Sequence, residues 1–250
     1  YTPYQPEMSQ GLLKALKSFA DKISKATSLP TVTCSHYDGA TALAEASWMA
    51  VSNSGIRSII VSDGLFPHYK KVLETYCFAR NVEILYLPYE INSGSIDFKY
   101  LNNLNLDNFA AVIFQSPNCF GLIEELNEFK KIKQNSKIKI IGSMHPYEAI
   151  VNKFDDSLFD IITFEGQSLG LNMFAGGAHL GILACSQDLR HLTPGRLIGE
   201  VYDIYGNPSL ALVFEDREQH VARDRATSNI CSNQALNAVK AGIFIDYFGA

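Results

Sequence analysis

Ala110-Ala-Val-Ile-Phe-Gln-Ser-Pro-Asn-Cys-Phe-Gly121 decides the architecture: an apolar run stops abruptly at a polar turn carrying Gln, Ser, Pro and Asn. An uninterrupted apolar run rich in Val, Ile and Phe reads as a strand covered on both faces, and the polar exit reads as a loop. The same unit recurs on either side, in Ser58-Ile-Ile-Val61, Val82-Glu-Ile-Leu-Tyr-Leu87, Ile138-Lys-Ile-Ile141 and Ile161-Ile-Thr-Phe164. Between several of these runs lie amphipathic stretches, such as His68 to Arg80 and Leu122 to Lys133, that can cross over a sheet. The pattern predicts an α/β fold with a mostly parallel sheet between helices. His179-Leu-Gly-Ile-Leu-Ala184 is expected to add a further strand, antiparallel to the others.

The flanks fit this plan. Ser9 to Ser28 sets Leu12, Leu13, Leu16, Phe19, Ala20 and Ile23 at helical spacing, and Leu29-Pro30 stops the helix. A second helix is expected from Ala40 to Val51, ended by Asn53-Ser-Gly55. Downstream come a loop at Thr193-Pro-Gly195, a strand-like Leu210 to Phe214 and a closing helix from Asn229 to Phe248.

With 250 residues, 47% hydrophobic and 19% charged, the chain has the composition of one large folded domain rather than of a disordered segment. A net charge of −5 argues against nucleic-acid binding, which needs a basic surface. Lys130-Lys131-Ile-Lys133 reads as a solvated helix face. No apolar run approaches the roughly 18 residues of a membrane span, so no membrane partner is expected. Cys34, Cys77, Cys119, Cys185 and Cys231 are odd in number and widely spaced, which suits reduced thiols in a reducing, cytoplasmic setting. No cysteine–histidine cluster suggests a metal.

In open α/β sheets ligands bind beyond the carboxyl ends of the strands. That places five loops in question: Ser35 to Thr41, Asp63 to Phe66, Gln115 to Gly121, Ser143 to Tyr147 and Glu165 to Gly181. Asp38-Gly-Ala-Thr41 could hold an anion on helix amides, or Asp38 could simply cap the helix. Gln115-Ser-Pro-Asn118 could orient a planar ligand or form an ordinary turn. His145 is a lone loop histidine, open to a catalytic or a structural reading. Arg217, Arg223 and Arg225 could take a carboxylate or phosphate, or pair with their acidic neighbours.

The richest loop is Phe164-Glu-Gly-Gln-Ser-Leu-Gly-Leu-Asn-Met-Phe-Ala-Gly-Gly-Ala-His-Leu-Gly181, with glycines at 166, 170, 176, 177 and 181. Such density serves close backbone approach or positive φ. The loop has no lysine, and none occurs between Lys153 and Lys240. Carbonyl-cofactor chemistry needs an amine. Hydrolase elbows, phosphate loops and dinucleotide fingerprints are also missing from the strand–helix junctions.

Three segments together carry a family resemblance: Tyr1-Thr-Pro-Tyr-Gln-Pro-Glu-Met-Ser-Gln-Gly11, Glu165-Gly-Gln-Ser-Leu-Gly170 with Gly176-Gly-Ala-His-Leu-Gly181, and Arg217-Glu-Gln-His220 leading to Ala226-Thr-Ser-Asn-Ile-Cys231. Tyr37-Asp-Gly-Ala-Thr-Ala-Leu-Ala-Glu45 and Pro194-Gly-Arg-Leu-Ile-Gly199 agree with them. The chain resembles the glycine decarboxylase P-protein family of the glycine cleavage system, in its α-subunit (subunit 1) form, over essentially its whole length. The resemblance implies a type I pyridoxal-phosphate-enzyme large domain, aspartate aminotransferase-like. It also implies an internal portion of a longer chain, lacking an N-terminal region and a smaller C-terminal domain.

The implied reaction is decarboxylation of glycine on pyridoxal phosphate, with the aminomethyl group passing to the lipoyl arm of the H-protein. A type I enzyme carries its Schiff-base lysine shortly after the strand matched by Ile161–Phe164, where this chain has Glu165-Gly-Gln-Ser168. It carries an acidic partner for the pyridine nitrogen where this chain has Ser143-Met-His145. The expectation is therefore that the partner β subunit holds pyridoxal phosphate covalently, in a cytoplasmic heterotetramer. The isolated chain is expected to be inactive. Carried over by the motifs, Tyr1, Tyr4, Gln5, Gln167, Ser168, His179, Arg217, His220, Thr227, Ser228 and Asn229 are expected near substrate, cofactor or the subunit interface. The alternatives are a non-catalytic scaffold that only stabilises its partner, and an independent enzyme using a lysine such as Lys153.

Overall fold

The computed structural model describes residues 9–152, 158–195, 197–213, 215–217, 219–223, 226 and 232–249. Its centre is a seven-stranded sheet built from β1 (Thr31–His36), β2 (Ser58–Ser62), β3 (Glu83–Leu87), β4 (Ala111–Ser116), β5 (Lys139–Met144), β6 (Ile161–Glu165) and β7 (Gly181–Cys185), in the order β1-β7-β6-β5-β4-β2-β3. Strands β3, β2, β4, β5 and β6 run parallel, and β7 is antiparallel to both of its neighbours, β6 and β1. Every strand except β7 therefore points its carboxyl end to one edge, and β7 begins there.

The apolar runs form strands because both of their faces are covered. On β4, Ala111 and Ile113 face one layer and Val112 and Phe114 the other; Ile161 and Ile162 divide likewise on β6, as do Leu183 and Ile182 on β7. This is the two-residue period of a pleated strand, with apolar residues on both faces. One layer is α2 (Gly39–Ser54) with α3 (Pro67–Ala79). The opposite layer holds α1 (Gln10–Thr27), α5 (Leu126–Asn135) and α8 (Ser232–Phe248).

Local signals set the helix ends. Ser9 caps α1, which buries Leu13, Leu16, Phe19 and Ile23 and ends at Ser28 in the left-handed region. The α2 helix starts at a capping box between Asp38 and Thr41, and Gly55 at φ 75° closes it by donating to Val51 O. Short helices α4 (Phe98–Asn102), α6 (Pro146–Asn152) and α7 (Gln219–Ala222) complete the described α-helices. Outside the sheet, β8 (Leu197–Tyr202) and β9 (Pro208–Val213) form an antiparallel hairpin. The Gln10 side-chain amide pins it to α1 by exchanging hydrogen bonds with the backbone of Leu210, at 2.8 and 3.0 Å.

Departures from expectation have local causes. Strand β1 was hidden because Thr31, Thr33 and His36 are polar yet buried, Thr33 Oγ1 lying 2.7 Å from His36 Nε2. Hairpin strand β8 was missed because Gly199, Glu200 and Tyr202 break up its apolar residues; β9 falls where Leu210 to Phe214 was expected, Phe214 lying outside the described residues. Helix α5 starts at Leu126 rather than Leu122, because Asn118 Oδ1 accepts from the amides of Phe120 and Leu122 and holds that stretch as a turn. The lysine cluster on α5 divides: Lys131 pairs with Glu128 at the surface, whereas Lys133 reaches Asp160 at 3.0 Å. The closing helix is described from Ser232; residues 229–231 lie outside the described set.

Candidate functional site

The five loops suspected from sequence lie at the carboxyl edge, and two of them, Ser35 to Thr41 and Glu165 to Gly181, are joined by one carboxylate. Glu165 ends β6 and caps the 3-10 turn Gly166–Ser168. Its Oε1 accepts from the amides of Gln167 (2.9 Å) and Leu180 (3.1 Å), and its Oε2 accepts from the amide of Gly39 at the start of α2 (3.0 Å). His179 Nδ1 stands 3.3 Å from Oε2. Glu165 thus links β6, the entry to β7 and α2.

Two glycines make this convergence possible. A Cβ on Gly39 would strike Tyr69 Oη and come within 3.0 Å of Glu165 Cβ, and a Cβ on Gly181 would strike Asp38 O and His36 Cβ. Tyr69 is buried on α3 with its hydroxyl against this junction. Burial, and next the nearby Glu165 and Asp38 carboxylates, push its phenol well above the ordinary tyrosine value. Asp38 accepts from the amide of Thr41 at 2.8 Å, so of its two readings capping is realised.

Beyond Ser168 the loop is shaped by Gly170 at φ 77°, Ala175 at 53°, Gly176 at 91° and Gly177 at 79°. The Gln167 side-chain amide spans it, donating to Ala178 O at 3.2 Å, and its tip exposes Met173 and Phe174. The backbone carbonyl of Ser168 accepts from Tyr147 Oη at 2.7 Å, while its buried Oγ has no partner among the described residues. A buried hydroxyl without a protein partner marks a point where a ligand or water can bond. His179 is half-exposed, and its carbonyl accepts from Asn237 on α8 at 3.0 Å.

The exit of β4 is occupied internally. Gln115 Oε1 accepts from the amide of Phe66 at 2.8 Å, fixing the neighbouring loop. Asn118 donates to Gly94 O (3.0 Å) and Glu124 Oε1 (2.8 Å), and Ser116 Oγ donates to Glu148 Oε1 (3.0 Å). Burial raises the carboxyls of both Glu124 and Glu148, partly offset by hydrogen bonds from Ile96 N and Asn118 to Glu124 and from Ser116 to Glu148. His145 stands at the end of β5, where Nδ1 accepts from Tyr147 N at 3.3 Å.

Arg217 is buried, and its guanidinium pairs with the fully buried Glu45 and donates to Leu192 O at 3.2 Å. Arg190 pairs with Glu215 at 2.8 Å and anchors the same segment. Arg80 lies 3.8 Å from the other oxygen of Glu45 and stacks on Trp48 and Tyr76, 4.9 Å from each ring centroid. Among the sequence candidates the structure therefore brings Gln167, Ser168 and His179 together around Glu165 and gives Arg217 an internal partner in Glu45. His220 is on α7, its side chain outside the described set. Tyr1, Tyr4, Gln5, Thr227, Ser228 and Asn229 lie outside the described residues, as do Lys153 and Arg225. Sequence reasoning missed Tyr69 and Asn237, and it passed over Glu165 within the very loop it chose.

Comparison with known proteins bears on this edge. A family model described as glycine cleavage system P-protein matches residues 1–250. The chain is 39% identical over 250 residues to the probable glycine dehydrogenase (decarboxylating) subunit 1 of Carboxydothermus hydrogenoformans, covering 100% of this chain and 56% of that protein. The protein of the same name from Moorella thermoacetica is also 39% identical over 250 residues, with the same shares. The chain thus spans about half the length of the curated relatives it matches. A crystal structure of glycine decarboxylase (P-protein) of the glycine cleavage system, in inhibitor-bound form, superposes with a TM-score of 0.89 at 34% identity, over 100% of this chain and 56% of the other. Lactobacillus brevis glutamate decarboxylase shares the fold, with a TM-score of 0.66 at 12% identity over 100% of this chain and 58% of that one. The sheet is that of the fold type I pyridoxal-phosphate enzymes.

The described residues do not fit a pyridoxal phosphate bound covalently at this edge. The turn after β6 offers Glu165, Gln167 and Ser168 and no amine. The start of α2 is filled by the Glu165 carboxylate on Gly39 N and the Asp38 carboxylate on Thr41 N. The end of β5 presents Ser143, Met144 and His145 rather than an acid.

Proposed function

The chain belongs to the glycine cleavage system P-protein family, and on that premise we propose that it is part of the α subunit of a two-subunit glycine decarboxylase whose β subunit holds the pyridoxal phosphate. The lysine-free turn Glu165–Ser168 at the carboxyl edge carries this reading, because the turn that would need an amine offers none and the one charged side chain in it is bonded internally. The cofactor, bound to the partner, would supply the electron sink for loss of carbon dioxide from glycine. This chain then walls one side of the shared site. The spanned and glycine-bent loop from Leu169 to Ala178 excludes water, Ser168 Oγ offers a hydrogen bond, and the half-exposed His179 faces the incoming reactants. The aminomethyl group passes to the lipoyl arm of the H-protein across the same edge.

One observation favours a second reading, in which the subunit only stabilises its partner: Glu165, Gln167, Gln115 and Asn118 spend their polar groups on this chain's own backbone and side chains. Reconstitution decides between them. The full-length α chain, mixed with β subunit and lipoylated H-protein, should create glycine-dependent exchange of carbon dioxide that β alone lacks. Equal activity of β alone sinks the proposal. Ser168→Ala should lower turnover with assembly intact; unchanged turnover there and on replacing His220 favours the scaffold.

A further inference from the structure

The amide at the start of α2 belongs to a larger construction. Three backbone N–H groups, from Gly39, Gln167 and Leu180, converge on the carboxylate of Glu165 from three separate segments. Convergent amides, one of them at the positive end of a 16-residue helix, form the kind of cradle that binds oxyanions. It lies at the carboxyl edge of the sheet, where open α/β folds take their ligands. His179, 3.3 Å from the same carboxylate, adds a fourth group suited to an anion. Tyr69 Oη lies beside the Cα of Gly39, on the flank of this cradle.

We propose that Glu165 is a resident anion, a side chain that fills an oxyanion cradle of this chain and closes it to phosphate esters. The cradle and its occupant come from the same polypeptide, so occupancy is permanent and stoichiometric. An approaching phosphate meets both a filled site and the negative charges of Glu165 and Asp38. Ligands that lean against this edge do so through uncharged or cationic parts. The inference concerns this chain's own residues and stands apart from the catalytic reading: it can fail while reconstituted activity succeeds, and the reverse.

The test uses the full-length α chain without its partner, with inorganic phosphate as probe and chloride at equal ionic strength as control. Glu165→Ala vacates the cradle, and Glu165→Gln removes the charge but keeps it filled. Phosphorus NMR should show saturable phosphate binding to Glu165→Ala and none to wild type or Glu165→Gln. Phosphate and formate should also raise the melting temperature of Glu165→Ala in a saturable manner, while leaving wild type within the chloride control. Equal binding by wild type, or no binding by Glu165→Ala, overturns the proposal. A Glu165→Ala chain that stays unfolded at every phosphate and formate concentration overturns it as well, because no external anion would then replace the carboxylate.

Discussion

The guanidinium of Arg217 and the carboxylate of Glu45, 172 positions apart in sequence, form an ion pair inside the protein, with Glu45 fully buried. Removing Arg217 leaves the buried carboxylate with Arg80 alone, 3.8 Å away. Arg217→Met should destabilise the chain by about 3–5 kcal/mol, whereas Glu45→Met with Arg217→Met should recover most of that loss. Chemical denaturation of the single and double variants checks it, and equal destabilisation by both would show that the charges do not act as a pair.

Gly39 and Tyr69 make a second coupled pair. Gly39→Ala puts a methyl group against the phenol oxygen, an overpacking that should cost about 1–3 kcal/mol. Tyr69→Phe removes that oxygen, so the double variant should be more stable than the sum of the singles implies. Strict additivity in a thermal double-mutant cycle would refute this contact.

His36 gives a pH signature. Burial, and next the charge of Arg217, lower its imidazole from 6.5 to about 3. Between those values the unfolded chain binds a proton that the folded chain refuses, so the His36 contribution is complete above pH 6.5 and falls as pH drops towards 3. The slope is at most about 1.4 kcal/mol per pH unit. His36→Asn should flatten the difference in stability between pH 6.5 and 4.5 relative to wild type; parallel curves would be the contrary result.

Asn118 should govern the turn after β4. Its side chain serves Gly94 O, Glu124 and the amides of Phe120 and Leu122. Asn118→Ala leaves those groups unmatched, at a cost of about 1–3 kcal/mol. Hydrogen exchange should accelerate at Phe120 and Leu122 while the amides of β4 stay protected.

The sheet was legible because β2, β4, β5 and β6 are apolar on both faces, so their periodicity survives without knowledge of their neighbours. Strand β1 was not, since its polar Thr33 and His36 satisfy each other only after folding. The same division holds at the site. The loop from Glu165 to Gly181 announced itself through its glycines and its missing lysine, and family motifs singled out Gln167, Ser168 and His179 within it. The bond from Glu165 to Gly39 spans 126 positions and the pair of Arg217 with Glu45 spans 172, so neither destination leaves a mark in local sequence. Arg217 looked like a ligand contact because arginine suits anions; folding gave it an internal anion first.

The stacking of Arg80 on Trp48 has a practical consequence, since Trp48 is the one tryptophan in the chain. Through Arg80 the indole touches Glu45, and through Glu45 it reaches the segment that carries Arg217. The protein therefore contains its own fluorophore at the edge of its buried charge cluster. A shift in emission on adding a second polypeptide would report, without any label, that docking at the surface had been felt inside.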